Sequence, residues 1–147
     1  MKHLFIINKK AGKGNAIKLI PEIDHVFADR GEEYVIKVSE RRGHAEELAR
    51  EAALSGRRRV YAVGGDGTIN EVLNGIVNTG SSLAVIPAGS GNDFFRNIAD
   101  KSDIRILKQV VEGSERPVDI ARVNNRCFIN ITSLGIDAEA ALYSERL

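Results

Sequence analysis

Three segments of this 147-residue chain combine glycine with hydroxyl, amide and charged side chains, each directly after an apolar run. The sharpest is Gly64-Gly65-Asp66-Gly67-Thr68, with Ile69-Asn70-Glu71 behind it. Its glycines allow close backbone approach to a ligand, and a helix opening there offers unpaired N–H groups to an anion. Asp66 alone would repel phosphate, so a carboxylate in such a loop points to a cation between them. The second segment is Pro87-Ala88-Gly89-Ser90-Gly91-Asn92-Asp93. There Asn92 or Asp93 reads either as a helix N-cap or, for Asp93, as a second carboxylate at the site. The third, Asn8-Lys9-Lys10-Ala11-Gly12-Lys13-Gly14, suits phosphate and equally suits a solvated basic turn.

These segments need a frame that brings them to one place. Apolar runs at 3–8, Tyr34–Val38, Val60–Val63 and Leu83–Ile86 read as strands. Between them, Asn15–Arg30, Gly43–Ser55 and Thr68–Asn78 carry helical spacing, with Gly31 and Gly56 as stops. Pro21 inside the first implies a kink or a late start. Ile104–Val111 reads as a further short helix. Repeated strand–helix alternation predicts a parallel sheet covered on both faces, with all three segments at its carboxyl edge, where ligands of such sheets bind. The pattern changes near residue 115. Val118–Val123 and Cys127–Ser133 flank Asn124-Asn125, a two-residue hairpin signal. The expected division is an α/β unit over 1–115 and the beginning of an antiparallel β domain over 116–147.

Composition excludes several classes. Hydrophobic residues at 43% and charged residues at 28% match ordinary globular usage, against disorder or a coiled coil. A net charge of +1 gives no strong field for nucleic acid. One cysteine, Cys127, excludes an internal disulfide framework and fits a core position on a strand. No apolar run reaches the roughly 20 residues that span a bilayer. No cleavage pattern follows the strand-like opening run, so a signal peptide is not expected and a cytoplasmic protein is. No P-loop, dinucleotide fingerprint or nucleophile elbow occurs. His3, His25 and His44 are far apart and read as surface or packing residues, and Arg41-Arg42 and Arg57-Arg58-Arg59 read as solvated basic clusters.

Together these segments resemble the diacylglycerol kinase catalytic domain family, which includes bacterial lipid kinases and sphingosine kinases. The likeness rests on Asn8–Gly14, on the block from Gly64 to Glu71, on Gly89-Ser90-Gly91-Asn92-Asp93-Phe94, and on Val118-Asp119 with Asn130 and Gly135-Ile136-Asp137-Ala138. The Gly64–Glu71 block is shared in shorter form with NAD kinases and phosphofructokinases. The resemblance implies a Rossmann-like three-layer α/β/α unit with a mostly parallel sheet, followed by the start of a β-sandwich. It implies transfer of the γ-phosphate of Mg-ATP to a lipid hydroxyl of diacylglycerol type. By position it puts Asn8, Lys9, Lys10, Ala11, Gly12, Ser39, Gly65, Asp66, Gly67, Thr68, Ile69, Asn70, Glu71 and Ser90 at the nucleotide. It puts Asp66, Asp93 and Asp119 around Mg²⁺, with Asp66 also the candidate for deprotonating the acceptor.

Two departures stand out. Lys9 replaces the family's usual Pro, and Ala11 its usual Ser, which removes one hydroxyl but leaves a backbone cradle. The chain is also about half the size of a family member, so it reads as the nucleotide-binding half, inactive alone. The full-length protein is expected to be peripheral to the membrane. An apolar edge near Val118–Ala141 is expected to favour self-association, a homodimer being one form of it. Two rival readings are an NAD kinase-like phosphotransferase and a nucleotide-binding fragment with no activity of its own.

Overall fold

The computed structural model describes residues 2–56, 59–88 and 106–129. Four strands, β1 (His3–Asn8), β2 (Tyr34–Ser39), β3 (Arg59–Gly64) and β4 (Ser82–Pro87), form one parallel sheet in the order β2-β1-β3-β4. Among the described residues four α-helices follow in chain order: α1 (Ile20–Ala28), α2 (His44–Leu54), α3 (Asp66–Ile76) and α4 (Ile106–Glu112). The α/β reading therefore stands.

Side-chain alternation along β1 builds two cores. Leu4 and Ile6 pack with Ala45, Ala49, Val72 and Ile76 of α2 and α3 on one face. Phe5 and Ile7 pack with Ile23, Phe27, Leu107 and Val111 of α1 and α4 on the other. Both faces being dry is why β1 reads as an unbroken apolar run. Gly75 brings α2 and α3 together: a Cβ there would lie 2.6 Å from the Ala49 Cβ.

The first predicted helix starts late. A 3-10 segment runs over Ala11–Leu19, and α1 begins only at Ile20, with Pro21 in its first turn. Proline is tolerated there because the first-turn N–H groups have no intrahelical acceptor.

After α4 comes a hairpin of β5 (Ala121–Val123) and β6 (Arg126–Phe128), turned by Asn124-Asn125 with Val123 opposite Arg126. Its strands are shorter than predicted. Val118–Ile120 is not strand, and Val118, Ile120 and Val123 are exposed, an apolar edge as the sequence implied. Another expectation fails at Arg59. It is buried, donating to the Val111 carbonyl at 3.0 Å and pairing with Glu115, and so ties the start of β3 to the end of α4. Its guanidinium lies at the sheet's amino edge, where the Val111 carbonyl and the Glu115 carboxylate supply acceptors that offset its burial. Arg57, Arg58, Asn130 and the Gly135–Ala138 block lie outside the described residues.

A candidate phosphate-binding cleft

Register fixes the site. Asn8 pairs with Ser39, and Gly64 pairs with Pro87, so all four strands end at one level. The chain turns to opposite sides of β1 to form β2 and β3, which makes the β1/β3 boundary the switch point of the sheet. A cleft of about 1250 Å³ opens there.

Three loops and the hairpin line it. The first loop contributes Asn8, Lys10, Ala11, Gly12 and Lys13. Asn8 organises it: its Oδ1 accepts the Lys10 N–H at 3.0 Å, and its Nδ2 donates to the Thr68 hydroxyl at 3.1 Å. Gly12, Lys13 and Gly14 then all take left-handed backbone, with φ of 57°, 57° and 89°. Gly12 is required twice over, because a Cβ there would sit 2.4 Å from the Ala88 carbonyl oxygen. Lys13 is not glycine, and its conformation costs about 1 kcal/mol. Such strain concentrates at functional sites.

The second wall is Gly65, Asp66, Gly67, Thr68, Asn70 and Glu71. Gly64 passes under the start of α3 so closely that a Cβ would lie 2.4 Å from the Thr68 hydroxyl oxygen. Asp66 is half-buried in the first turn of α3, and Thr68 is buried. Ile69 points away into the core.

The third wall is the loop from Ser39 through Glu40, Arg41 and Arg42 to Gly43. Glu71 holds it. One carboxylate oxygen accepts the Gly43 N–H at 2.9 Å and the other the Ala45 N–H at 3.2 Å. A side chain of α3 thereby satisfies the first turn of α2, which has no side-chain cap of its own. His44 adds to this, its Nδ1 accepting the Glu40 N–H at 3.2 Å.

The hairpin docks through α3. Asn74 donates to the Cys127 carbonyl and accepts its N–H, both at 2.9 Å, in the manner of a neighbouring strand. Asn70 donates to the same carbonyl at 3.2 Å. Docked in this way, Arg126 reaches the cleft and pairs with Glu46 at 2.5 Å. Burial alone would raise the Glu46 carboxyl, but hydrogen bonds from Arg126 and Arg50 outweigh it and hold that carboxyl below the ordinary range.

Of the residues singled out in the sequence, Lys9 and Ile69 do not line the cleft, and neither does Asp119, which is exposed beyond α4. Ser90 and Asp93 lie outside the described residues. Among the described residues no three His, Cys, Asp or Glu side chains come together as a metal site. Arg41, Arg42, Glu46 and Arg126 line the cleft unannounced by any motif. Lys10, Lys13, Arg41, Arg42 and Arg126 share the cleft with Glu40, Glu46, Asp66 and Glu71, and among the described residues Lys10, Lys13 and Arg42 have no ion-pair partner. An arrangement of glycine loops, a helix start and free cations is suited to a polyanion.

The comparisons with known proteins agree with this geometry. Residues 2–123 match the diacylglycerol kinase catalytic domain, and the chain belongs to that family. It is 37% identical over 134 residues to a diacylglycerol kinase of Bacillus subtilis (strain 168), an alignment covering 88% of this chain and 44% of that protein. It is 36% identical over 136 residues to a YegS-like lipid kinase of Klebsiella pneumoniae (strain 342), covering 90% and 45%. The crystal structure of a diacylglycerol kinase from Bacillus anthracis str. Sterne superposes with a TM-score of 0.74 at 29% identity, over 97% of this chain and 52% of that one. The chain thus spans about half the length of the relatives it matches. No described helix is long and apolar enough to cross a membrane.

Proposed function

We propose that this chain is the nucleotide-binding half of an ATP-dependent lipid kinase that transfers the γ-phosphate of Mg-ATP to a hydroxyl of a diacylglycerol-like lipid at the membrane surface. The observation that carries this reading is the cleft at the sheet's switch point, where the Gly65–Thr68 turn faces the Asn8–Lys13 loop and unpaired cations. Family membership supports reading the polyanion as a nucleotide and the acceptor as a lipid. In this reading the α/β unit ends near residue 115 and the β domain begins with the hairpin.

Phosphoryl transfer needs mostly positioning and charge neutralisation. The N–H groups of Gly65, Gly67 and the first loop bind the phosphates. Lys10 and Lys13 offset their charge. Asn8 and Thr68 keep the two loops at a fixed separation, and Glu71 sets the height of the Ser39–Gly43 wall. Asp66 is the described carboxylate that would hold Mg²⁺, since magnesium takes one or two carboxylates and completes its shell with phosphate and water oxygens. The ion, when bound, neutralises charge on the transferred phosphate. Asp93 is the second carboxylate of the proposed acidic set, whereas Asp119 stands outside the cleft. Asp66 is also the candidate that draws the proton from the acceptor hydroxyl.

The test is calorimetric titration of this chain with Mg-ATP, beside Asp66→Asn. Saturable binding that the variant weakens supports the reading, and no binding to this chain or to the longer protein overturns it. For the acceptor, the longer protein is given labelled ATP with diacylglycerol vesicles or with NAD. Label in NAD and none in lipid would overturn the lipid assignment.

A further inference from the structure

We infer that Arg126 is a phosphate-binding arginine of the nucleotide cleft, delivered by the β hairpin and parked on Glu46 until the nucleotide arrives. This rests on the nucleotide reading above and extends it to a residue outside the α/β unit. Arg126 lines the same cleft as Asp66, Lys10 and Lys13. Its guanidinium spans two elements, with one nitrogen 2.5 Å from Glu46 of α2 and another 3.4 Å from the Asn70 side-chain oxygen of α3.

Glu46 does not depend on Arg126. Arg50, one turn along the same helix, also donates to Glu46 at 2.8 Å. Arg126 can leave without stranding a carboxylate. Its own side chain is 54% exposed while that of Glu46 is 17% exposed, so the arginine is the mobile member of the pair. Only the arginine's end of the pair is open to solvent, and Arg50 stays on Glu46 when Arg126 leaves. A polyphosphate offers the guanidinium several charge-assisted acceptors, frequently in two-pronged geometry, and outcompetes a shared carboxylate. Meanwhile the backbone of Cys127, the next residue, stays fixed on Asn74. The arginine swings from a rigid base.

The test is titration of the 147-residue chain with ATP and with AMP, for wild type, Arg126→Met, Arg126→Lys and Glu46→Gln. Arg126→Met should weaken ATP binding by roughly tenfold or more, the worth of a hydrogen bond to a charged group. Its effect on AMP should be much smaller, and Arg126→Lys should restore part of the loss. Glu46→Gln should tighten ATP binding by about threefold, because it releases the arginine. If Arg126 only latches the hairpin, Glu46→Gln weakens binding instead, which overturns the inference. Unchanged ATP affinity in Arg126→Met, or equal losses for ATP and AMP, also overturns it while leaving the nucleotide reading intact. Failure of both this wild-type chain and the longer protein to bind ATP overturns both.

Discussion

The Asn8 side chain donates to the Thr68 hydroxyl at 3.1 Å across the point where the sheet reverses its strand order. One hydrogen bond, between residues 60 positions apart, sets the spacing of the two loops that face each other over the cleft. Thr68→Val keeps the shape of the side chain and removes the acceptor. It should cost about 1 kcal/mol of stability in urea unfolding. Mg-ATP affinity should fall roughly threefold to tenfold as the loops lose their fixed spacing. Full affinity in that variant would show that the bond has no part in ligand binding.

Gly64 meets the same threonine from below, at a distance no Cβ tolerates. Gly64→Ala should therefore destabilise by about 1–3 kcal/mol, the usual range for overpacking. A midpoint unchanged in urea would mean that α3 can lift off the sheet at no cost.

Glu71 stands in the motif that the sequence assigns to the nucleotide, yet both of its oxygens are engaged by backbone N–H groups of the α2 start. Glu71→Ala strands those donors and should cost about 1–3 kcal/mol. Glu71→Gln keeps one carbonyl acceptor for these two N–H groups and should cost about half as much. Equal losses in the two variants would argue that volume, not hydrogen bonding, matters there.

Why that role escapes the sequence is a matter of range. Periodicity reports which face of an element is buried, so β1 to β4 and the helix faces are all legible from apolar spacing. Turn chemistry is legible too: Asn124-Asn125 marks the hairpin, and Pro21 marks a helix start. Partners are not legible. Nothing in the spacing of Glu71, Asn74 or Arg59 says that each reaches a backbone group 26 to 53 residues away. Cleft residues from the motifs, such as Asn8, Gly12 and Asp66, were recoverable because loops after parallel strands share an edge. Arg126 was not, because its place depends on how the hairpin docks.

That docking can be followed through Cys127, the chain's single cysteine and a buried one. Asn74→Asp retains an acceptor for the Cys127 N–H but loses the donor to its carbonyl, and sets a carboxylate oxygen against the carbonyl oxygen. Losing roughly 1–2 kcal/mol of hydrogen bonding should raise the rate of thiol labelling about tenfold under native conditions. Asn74→Gln, with a longer amide, should fall between. An unchanged rate in Asn74→Asp would mean that Asn70 and Arg126 hold the hairpin without Asn74.

The amino edge of the sheet, away from the cleft, contributes a two-stage pH dependence of stability. His3 is buried with its Nε2 2.8 Å from Glu32 and its Nδ1 2.7 Å from the Tyr61 hydroxyl. Glu32 only accepts, so Nε2 carries the proton and Nδ1 accepts from Tyr61. Burial lowers the His3 pKa from 6.5 despite the carboxylate beside it. The hydrogen bond from His3, with those from Arg30, holds Glu32 at about 2 instead of 4.5. For His3 the unfolded chain binds the proton more readily, so stability falls as pH drops below 6.5. For Glu32 the unfolded carboxylate again takes its proton first, so a second loss follows between 4.5 and about 2. Urea midpoints measured from pH 8 downward should therefore be flat to about 6.5 and then decline in two stages. His3→Gln, which can still donate to Glu32 and accept from Tyr61, should remove the upper stage and keep the lower one. An upper stage that survives in His3→Gln would overturn its assignment to His3.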